Sequence, residues 1–194
     1  MSKTFQRQEE LKLWDQSVIS GLKCLVLGVG GLGSTISMDL CRLGVKEVVI
    51  VDLDVVDEHN LNRQILYGKE HVNKPKVEAA LQQIQFHNVR SDETKIFHHF
   101  YDVLKNWDRT IQLVKESDVI FNTIDWGDYF DYVICKVAEK YSKPLILGGT
   151  EPFYGHTISY FLQGTRLEDV KYSDCHDLEP SKLAQVREHV GHDE

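Results

Sequence analysis

Residues 24–33 read Cys24-Leu25-Val26-Leu27-Gly28-Val29-Gly30-Gly31-Leu32-Gly33, and this stretch decides the fold. Its apolar start reads as a buried strand, its glycines as a turn, and Ser34 to Leu43 has helical spacing. A second apolar run, Val48-Val49-Ile50-Val51, ends on Asp52. Strand, glycine turn, helix and strand compose one parallel unit of the nucleotide-binding kind. Gly28 permits the tight turn off the strand, and Gly30 lets backbone approach a ligand that a Cβ would push away. Gly33 allows close helix-to-strand packing. Free N–H groups and the positive dipole end at the helix start favour an anion there. Asp52, at the carboxyl end of the second strand, is placed to accept from ribose hydroxyls. The alternative is a glycine-rich turn with no ligand, against which stands the order of strand, helix and acidic residue.

A GxGxxG turn alone does not name the nucleotide. The discriminating residues follow it, in Asp52-Leu53-Asp54, Asn60-Leu61-Asn62-Arg63-Gln64 and Lys74-Pro75-Lys76-Val77-Glu78. A dehydrogenase needs a hydride-transfer site and has no use for cations in this arrangement. Arg63 and Lys76 suit a triphosphate, where fixed cations stabilise charge developing on phosphorus and the leaving group. The bland reading makes both of them solvated surface charges.

GVGGLG, the DLD element, NLNRQ and PKVEAA, in this order and at this spacing, resemble the ThiF/MoeB superfamily of ubiquitin-activating-enzyme-like adenylyltransferases. The resemblance runs from about Arg7 to about Phe161. It implies an α/β fold: a Rossmann-like, mostly parallel sheet with helices on both faces and an antiparallel C-terminal extension. It implies ATP and Mg2+, with Gly28, Gly30, Gly31, Leu32 and Gly33 at the nucleotide and Asp52 on the ribose. Asp54 joins this set, Asn60, Arg63, Gln64 and Lys76 embrace the phosphates, and Asp125 helps hold magnesium. Arg7-Gln8 resembles the family's N-terminal Arg-Gln, whose arginine reaches into the partner subunit's ATP site, as arginine fingers do. The bland reading of Arg7 is a solvent-facing charge; the trans-acting reading, with the family precedent, favours a homodimer.

The chain departs from the family after Asp125, where an asparagine and then an arginine about a turn later are usual. Here Trp126, Gly127, Asp128, Tyr129 and Phe130 stand instead. That change bears on how a partner's carboxyl tail is gripped, and leaves the phosphate-handling residues untouched. Asp125 itself closes the apolar run Val119-Ile120-Phe121-Asn122, in the crevice where α/β sheets bind ligands. One aspartate suffices for a magnesium ion that otherwise prefers phosphate oxygens and water. The alternative is a helix cap for residues 128–141, a task Asp128 could do equally well.

With 194 residues, 42% of them hydrophobic, the chain can bury one good core. A formal net charge of −8 disfavours a general nucleic-acid or anionic-membrane binder. No apolar run nears the ~18 residues of a membrane span, and Met1-Ser2-Lys3-Thr4 leads to no apolar signal region, so a cytoplasmic protein is expected. Residues 1–20 are expected to form a helical arm, amphipathic over 5–20 through Leu11, Leu13, Trp14, Val18 and Ile19. By the resemblance, residues 21–165 are expected to form the ATP-binding adenylation domain, and 166–194 a C-terminal tail or the truncated remainder of that domain. The polar end, from about Ser181 to Glu194, is either frayed or helical at Lys182 to His189. Relatives continue with a crossover segment and more strands, so the chain is either a compact member or truncated.

Further on, Pro75 opens a helix to about Phe86, Lys95 to Phe100 is a strand, and Ile111 to Lys115 closes a short helix. His98 and His99 point to opposite faces of that strand and read as a solvated pair. Pro144 to Leu147 is a strand, and Gly155 to Phe161 alternates as a half-exposed one.

Cys24, Cys41, Cys135 and Cys175 form no CxxC pair. Cys24 and Cys41 read as buried, inert thiols. Many bacterial relatives carry a zinc site built from two CxxC pairs. Tyr172-Ser173-Asp174-Cys175 falls where the first pair would be, with tyrosine for one cysteine, so zinc is not expected. Thioester-forming members of the resembled family place a cysteine beyond the aspartate strand, where Cys175 is the only candidate. Tyr172, Asp174 and Asp177 around it would raise its pKa, although His176 is adjacent, and the alternative is a structural or incidental cysteine.

By resemblance the reaction is adenylation of the C-terminal glycine carboxylate of a ubiquitin-like or sulfur-carrier protein. Two other classes stay open: a nicotinamide- or flavin-dependent oxidoreductase, and a non-catalytic subunit of a heterodimeric activating enzyme.

Overall fold

A computed structural model describes residues 3–90, 93–126, 128–150 and 155–160. Short helical turns α1 (Gln6–Glu9) and α2 (Gln16–Ile19) precede β1 (Lys23–Leu27), α3 (Gly31–Leu43) and β2 (Glu47–Asp52). Then come α4 (Lys76–His87), β3 (Lys95–Phe100), α5 (Trp107–Glu116), β4 (Val119–Asn122), α6 (Asp128–Lys140), β5 (Leu145–Thr150) and β6 (Gly155–Tyr160). The strands form one sheet in the order β3-β2-β1-β4-β5-β6. All pairings are parallel except β5 with β6, which is antiparallel. This is the expected Rossmann-like sheet with its antiparallel extension.

The period-two geometry of a strand explains the continuous apolar runs, because both faces of this sheet are covered. Cys24, Val26, Val48 and Ile50 pack on one side with Leu40 and Cys41 of α3 and Val77, Ala80 and Ile84 of α4. Leu25, Leu27, Val49 and Val51 pack on the other with Val114 of α5 and Val133, Ile134 and Val137 of α6. Burial pushes the Cys24 and Cys41 thiols up to about 12, so both are inert as expected. Cys135 is buried as well.

The N-terminal segment differs from expectation. The amphipathic helix over 5–20 is broken into α1 and α2, and Leu11, Leu13 and Val18 are 59%, 97% and 58% exposed. The physical cause is Asp15, whose carboxylate accepts from the Ser17 and Val18 N–H groups and starts a new helical turn at Gln16. A side chain that caps backbone in this way offers an alternative to continuing the helix. Phe5 is the buried anchor of α1's approach to the body. Residues 161–194 lie outside the described residues, and the readings made of Cys175, zinc and the tail concern that stretch.

Candidate functional site

The carboxyl ends of β1, β2, β4 and β5 open into one cleft of about 630 Å³. That size suits a small-molecule ligand. Its first wall is the glycine turn, lined by Gly28, Gly30, Gly31 and Leu32. Gly28 has φ +87°, and a Cβ there would press on Thr123 and Ile124 at 3.1 Å. A side chain at this position is therefore strained twice over. Its N–H donates to Val51 O at 2.8 Å, tying the turn to β2. Gly30 caps α3 without any side-chain hydrogen bond, so the first N–H groups of this 13-residue helix have no side-chain acceptor. Such a helix start favours an anion.

Asp52 stands at the end of β2 with 8% exposure. Its Oδ2 accepts from Val29 N and its Oδ1 from Asp54 N, both at 2.8 Å. Burial raises its pKa, while the nearby Lys76 ammonium and the two backbone bonds oppose that rise. Two N–H donors therefore hold the carboxylate rigid, and each oxygen keeps a further lone pair for a ligand hydroxyl. Lys76 opens α4, and its Nζ meets Asp54 Oδ2 at 2.7 Å. Gln64 is 4% exposed, and its buried Oε1 has no hydrogen-bond partner. That oxygen can only accept, so a hydroxyl, an N–H or a water would satisfy it, while the Nε2 amide, on the side of the glycine turn, is the group able to donate to a phosphate.

Arg63 lines the cleft but folds back, donating to His59 O at 2.8 Å and to Asn62 Oδ1 at 3.1 Å. These are exposed bonds, exchanged at little cost for a phosphate. Asp125 is exposed on the lining. With Asp52, Asp54 and Asp131 it makes the cleft more anionic than cationic, so a polyphosphate fits best when a divalent cation accompanies it. Among the described residues no three His, Cys, Asp or Glu gather as a metal site. Asp125 would then hold magnesium jointly with the ligand's own oxygens, which matches that ion's preference.

Three residues of the implied set do not line the cleft. Gly33 is used for packing: a Cβ there would collide with the Gly28 carbonyl and lie 2.7 Å from Thr123 Oγ1. Asn60 is buried and turns its amide to its own chain, where Oδ1 accepts from Asp57 N at 3.0 Å and closes a capping box. Arg7 is exposed on α1, and the role implied for it belongs to a partner subunit's cleft.

Sequence reasoning missed other wall residues. Thr123 Oγ1 lies 3.0 Å and 2.9 Å from the Leu27 and Gly28 carbonyls and braces the turn from β4. Asp131, in α6, has its Oδ1 held by Asn122 Nδ2 at 2.7 Å and lines the cleft with Trp126. Gly148, Gly149 and Thr150 enter from the end of β5, and Tyr101 and Val103 from the end of β3. The signal for the last two groups was the strand-end rule already applied to Asp52 and Asp125. Asp131 had no such signal, being inside a helix.

His98 and His99 are not a solvated pair. His98 is exposed, but His99 is partly buried, with its Nδ1 3.0 Å from Arg109 NH2. Burial, reinforced by Arg109 and then His98, pushes the His99 pKa below the usual histidine value. The unfolded chain thus binds this proton more readily than the folded one. Stability contributed by neutral His99 is full above pH ~6.5 and falls as pH drops from there through the folded value. An NMR titration should find the His99 midpoint below that of a free histidine. Arg109→Leu should move it part of the way back, since burial remains; an unmoved midpoint would show that the contact has no electrostatic weight.

A family model, described as the ThiF family, matches residues 5–188. A Saccharomyces cerevisiae protein named ubiquitin-activating enzyme E1-like is 33% identical over 134 residues, covering 69% of this chain and 20% of that protein. SUMO-activating enzyme subunit 2 of Dictyostelium discoideum is 34% identical over 162 residues, covering 84% of this chain and 22% of that protein. Among solved structures, selenomethionine PaaA superposes with a TM-score of 0.67 at 26% identity, covering 88% of this chain and 55% of PaaA. The chain thus spans a minor part of the curated relatives it matches. No helix among the described residues is long and apolar enough to cross a membrane.

Proposed function

This chain belongs to the ThiF family, and from that premise we propose that it adenylates the C-terminal carboxylate of a ubiquitin-like or sulfur-carrier protein at the expense of ATP. The observation that carries the reading is the meeting of Lys76, Arg63 and Asp125 with the glycine turn on one cleft, although they come from separate parts of the chain. The names of the relatives, activating enzymes for ubiquitin-like proteins, support the same class.

The substrate carboxylate is already ionised at neutral pH, so it attacks without a general base. Its oxygen forms a bond to the ATP α-phosphorus in line, the bond to the bridging oxygen breaks, and pyrophosphate leaves with that oxygen. An acyl adenylate remains. The protein's part is positioning and charge stabilisation. Asp52 orients the ribose, the N–H groups at the start of α3 and the Gln64 Nε2 amide donate to phosphate oxygens, and Lys76 and Arg63 stabilise charge building toward pyrophosphate. Magnesium, when bound beside Asp125, supplies further neutralisation of the phosphates. In a homodimer, Arg7 of one copy would add a cation to the cleft of the other.

A second reading has its own support, since the Dictyostelium relative is named as a subunit. In that case the chain is half of a heterodimeric activating enzyme. ATP–pyrophosphate exchange tests both. With Mg-ATP, radiolabelled pyrophosphate and candidate carriers, the chain alone should give carrier-dependent exchange. Exchange that arises only when a second subunit is added supports the heterodimer. No exchange under any condition, with tight NAD or flavin binding instead, would turn the reading to an oxidoreductase.

A further inference from the structure

One aromatic side chain of the cleft is left unused by the phosphate chemistry. Tyr101 follows β3 directly, and its backbone N–H donates to Asp52 O at 3.2 Å, so it is rooted beside the end of β2. Its ring is braced by groups that do not themselves line the cleft. The hydroxyl lies 3.4 Å from Thr110 Oγ1, and the Arg109 guanidinium carbon sits 5.1 Å from the ring centroid. Arg109 is held in turn by His99 Nδ1 at 3.0 Å, and the His99 ring lies 6.1 Å from the Tyr101 ring.

We propose that Tyr101 is the platform on which the nucleobase stacks, and that Arg109 and His99 are positioning residues that hold it. The inference rests on the nucleotide reading above and follows from the geometry of a nucleotide laid across the cleft. Phosphates at the glycine turn and ribose on Asp52 leave the base on the far side of the ribose. Tyr101, bonded to the Asp52 backbone, stands there with Leu53 and Val103 as apolar neighbours. Arg109 lies over the ring from outside the cleft and the core beneath α5 supports it, so the part of the ring that lines the cleft is held in place for a flat ligand. A guanidinium over the ring also polarises it and favours stacking. Trp126, the cleft's other aromatic residue, follows β4 on the opposite side of β1, and its ring already packs edge-on against Phe130 at 5.3 Å.

Titration calorimetry with ATP and with inorganic tripolyphosphate, which has no base, tests this in the presence of magnesium. Wild-type protein should bind ATP more tightly than tripolyphosphate. Tyr101→Leu should lose about fivefold to a hundredfold in ATP affinity and leave tripolyphosphate affinity unchanged. Tyr101→Phe keeps the ring and should stay within about twofold of wild type. Arg109→Leu should show the same base-selective loss to a smaller degree, with Arg109→Lys restoring part of it. This pair carries the test if Tyr101→Leu does not fold. Equal weakening of both ligands in Tyr101→Leu, no weakening of either, or a base-selective loss in Trp126→Leu instead would overturn the platform. Wild-type protein that binds neither ligand overturns the nucleotide reading, and the platform with it.

Discussion

Lys76→Met lowers carrier-dependent ATP–pyrophosphate exchange by about a hundredfold to a thousandfold, the loss typical of removing one group aimed at developing charge. The fold should survive. Lys76 is a cation in the first turn of α4, at the positive end of the helix dipole, a placement that costs rather than gains stability. Its partner Asp54 is 53% exposed and rehydrates when the ammonium goes, so the pair is worth about 1 kcal/mol or less. Thermal melts of the two proteins should then nearly coincide while exchange collapses. A second consequence concerns Asp52. Burial raises the pKa of its carboxyl, and Lys76 is the main influence in the opposite direction. Without Lys76 the value rises further, and the acid limb of nucleotide binding moves to higher pH. Exchange that survives Lys76→Met would remove the lysine from the chemistry and with it the strongest support for the adenylation reading.

Gly33→Ala should cost on the order of 3 kcal/mol or more, a fall of about 6–12 °C in melting temperature for a chain of this size. The added methyl would collide with the Gly28 carbonyl, and neither side can give way. Gly28 is held at φ +87° with its N–H bonded to Val51, and Thr123 Oγ1 braces the same carbonyl at 2.9 Å. Gly30→Ala is the contrast. Its Cβ meets nothing closer than Gln64 Nε2 at 3.7 Å, so the melt should hold within about 1 kcal/mol while nucleotide affinity falls. Calorimetric melts and ATP titrations on the two variants separate a packing glycine from a ligand-facing one. Equal melting temperatures for Gly33→Ala and wild type would mean that α3 does not sit against the turn as described.

The sheet was legible because its causes are local. Cys24–Leu27 and Val48–Val51 are apolar at every position, as strands covered on both faces must be, and Gly28 marks the turn by a backbone angle that side chains resist. The N-terminal arm was misjudged because helical spacing says nothing of Asp15, whose short side chain bonds the backbone ahead of it and restarts the helix. Asn60 sat inside the most family-like motif, yet its amide closes its own turn while its neighbour Gln64 faces the cleft. Spacing along a motif does not say which way an irregular segment aims each side chain.

From the residue order alone came the parallel unit, the anion-binding turn and the acidic strand ends, since each depends on periodicities and bond angles that a short window contains. Tertiary structure alone decided that Tyr101, Asp131 and Gly148 would share a wall with Lys76, and that Arg109 would meet His99. Those meetings follow from the sheet order, which sets the ends of β2, β1, β4 and β5 side by side over one crevice. Contact across a sheet is settled by which strands pair, and the free energy that chooses the pairing is spread over the whole core.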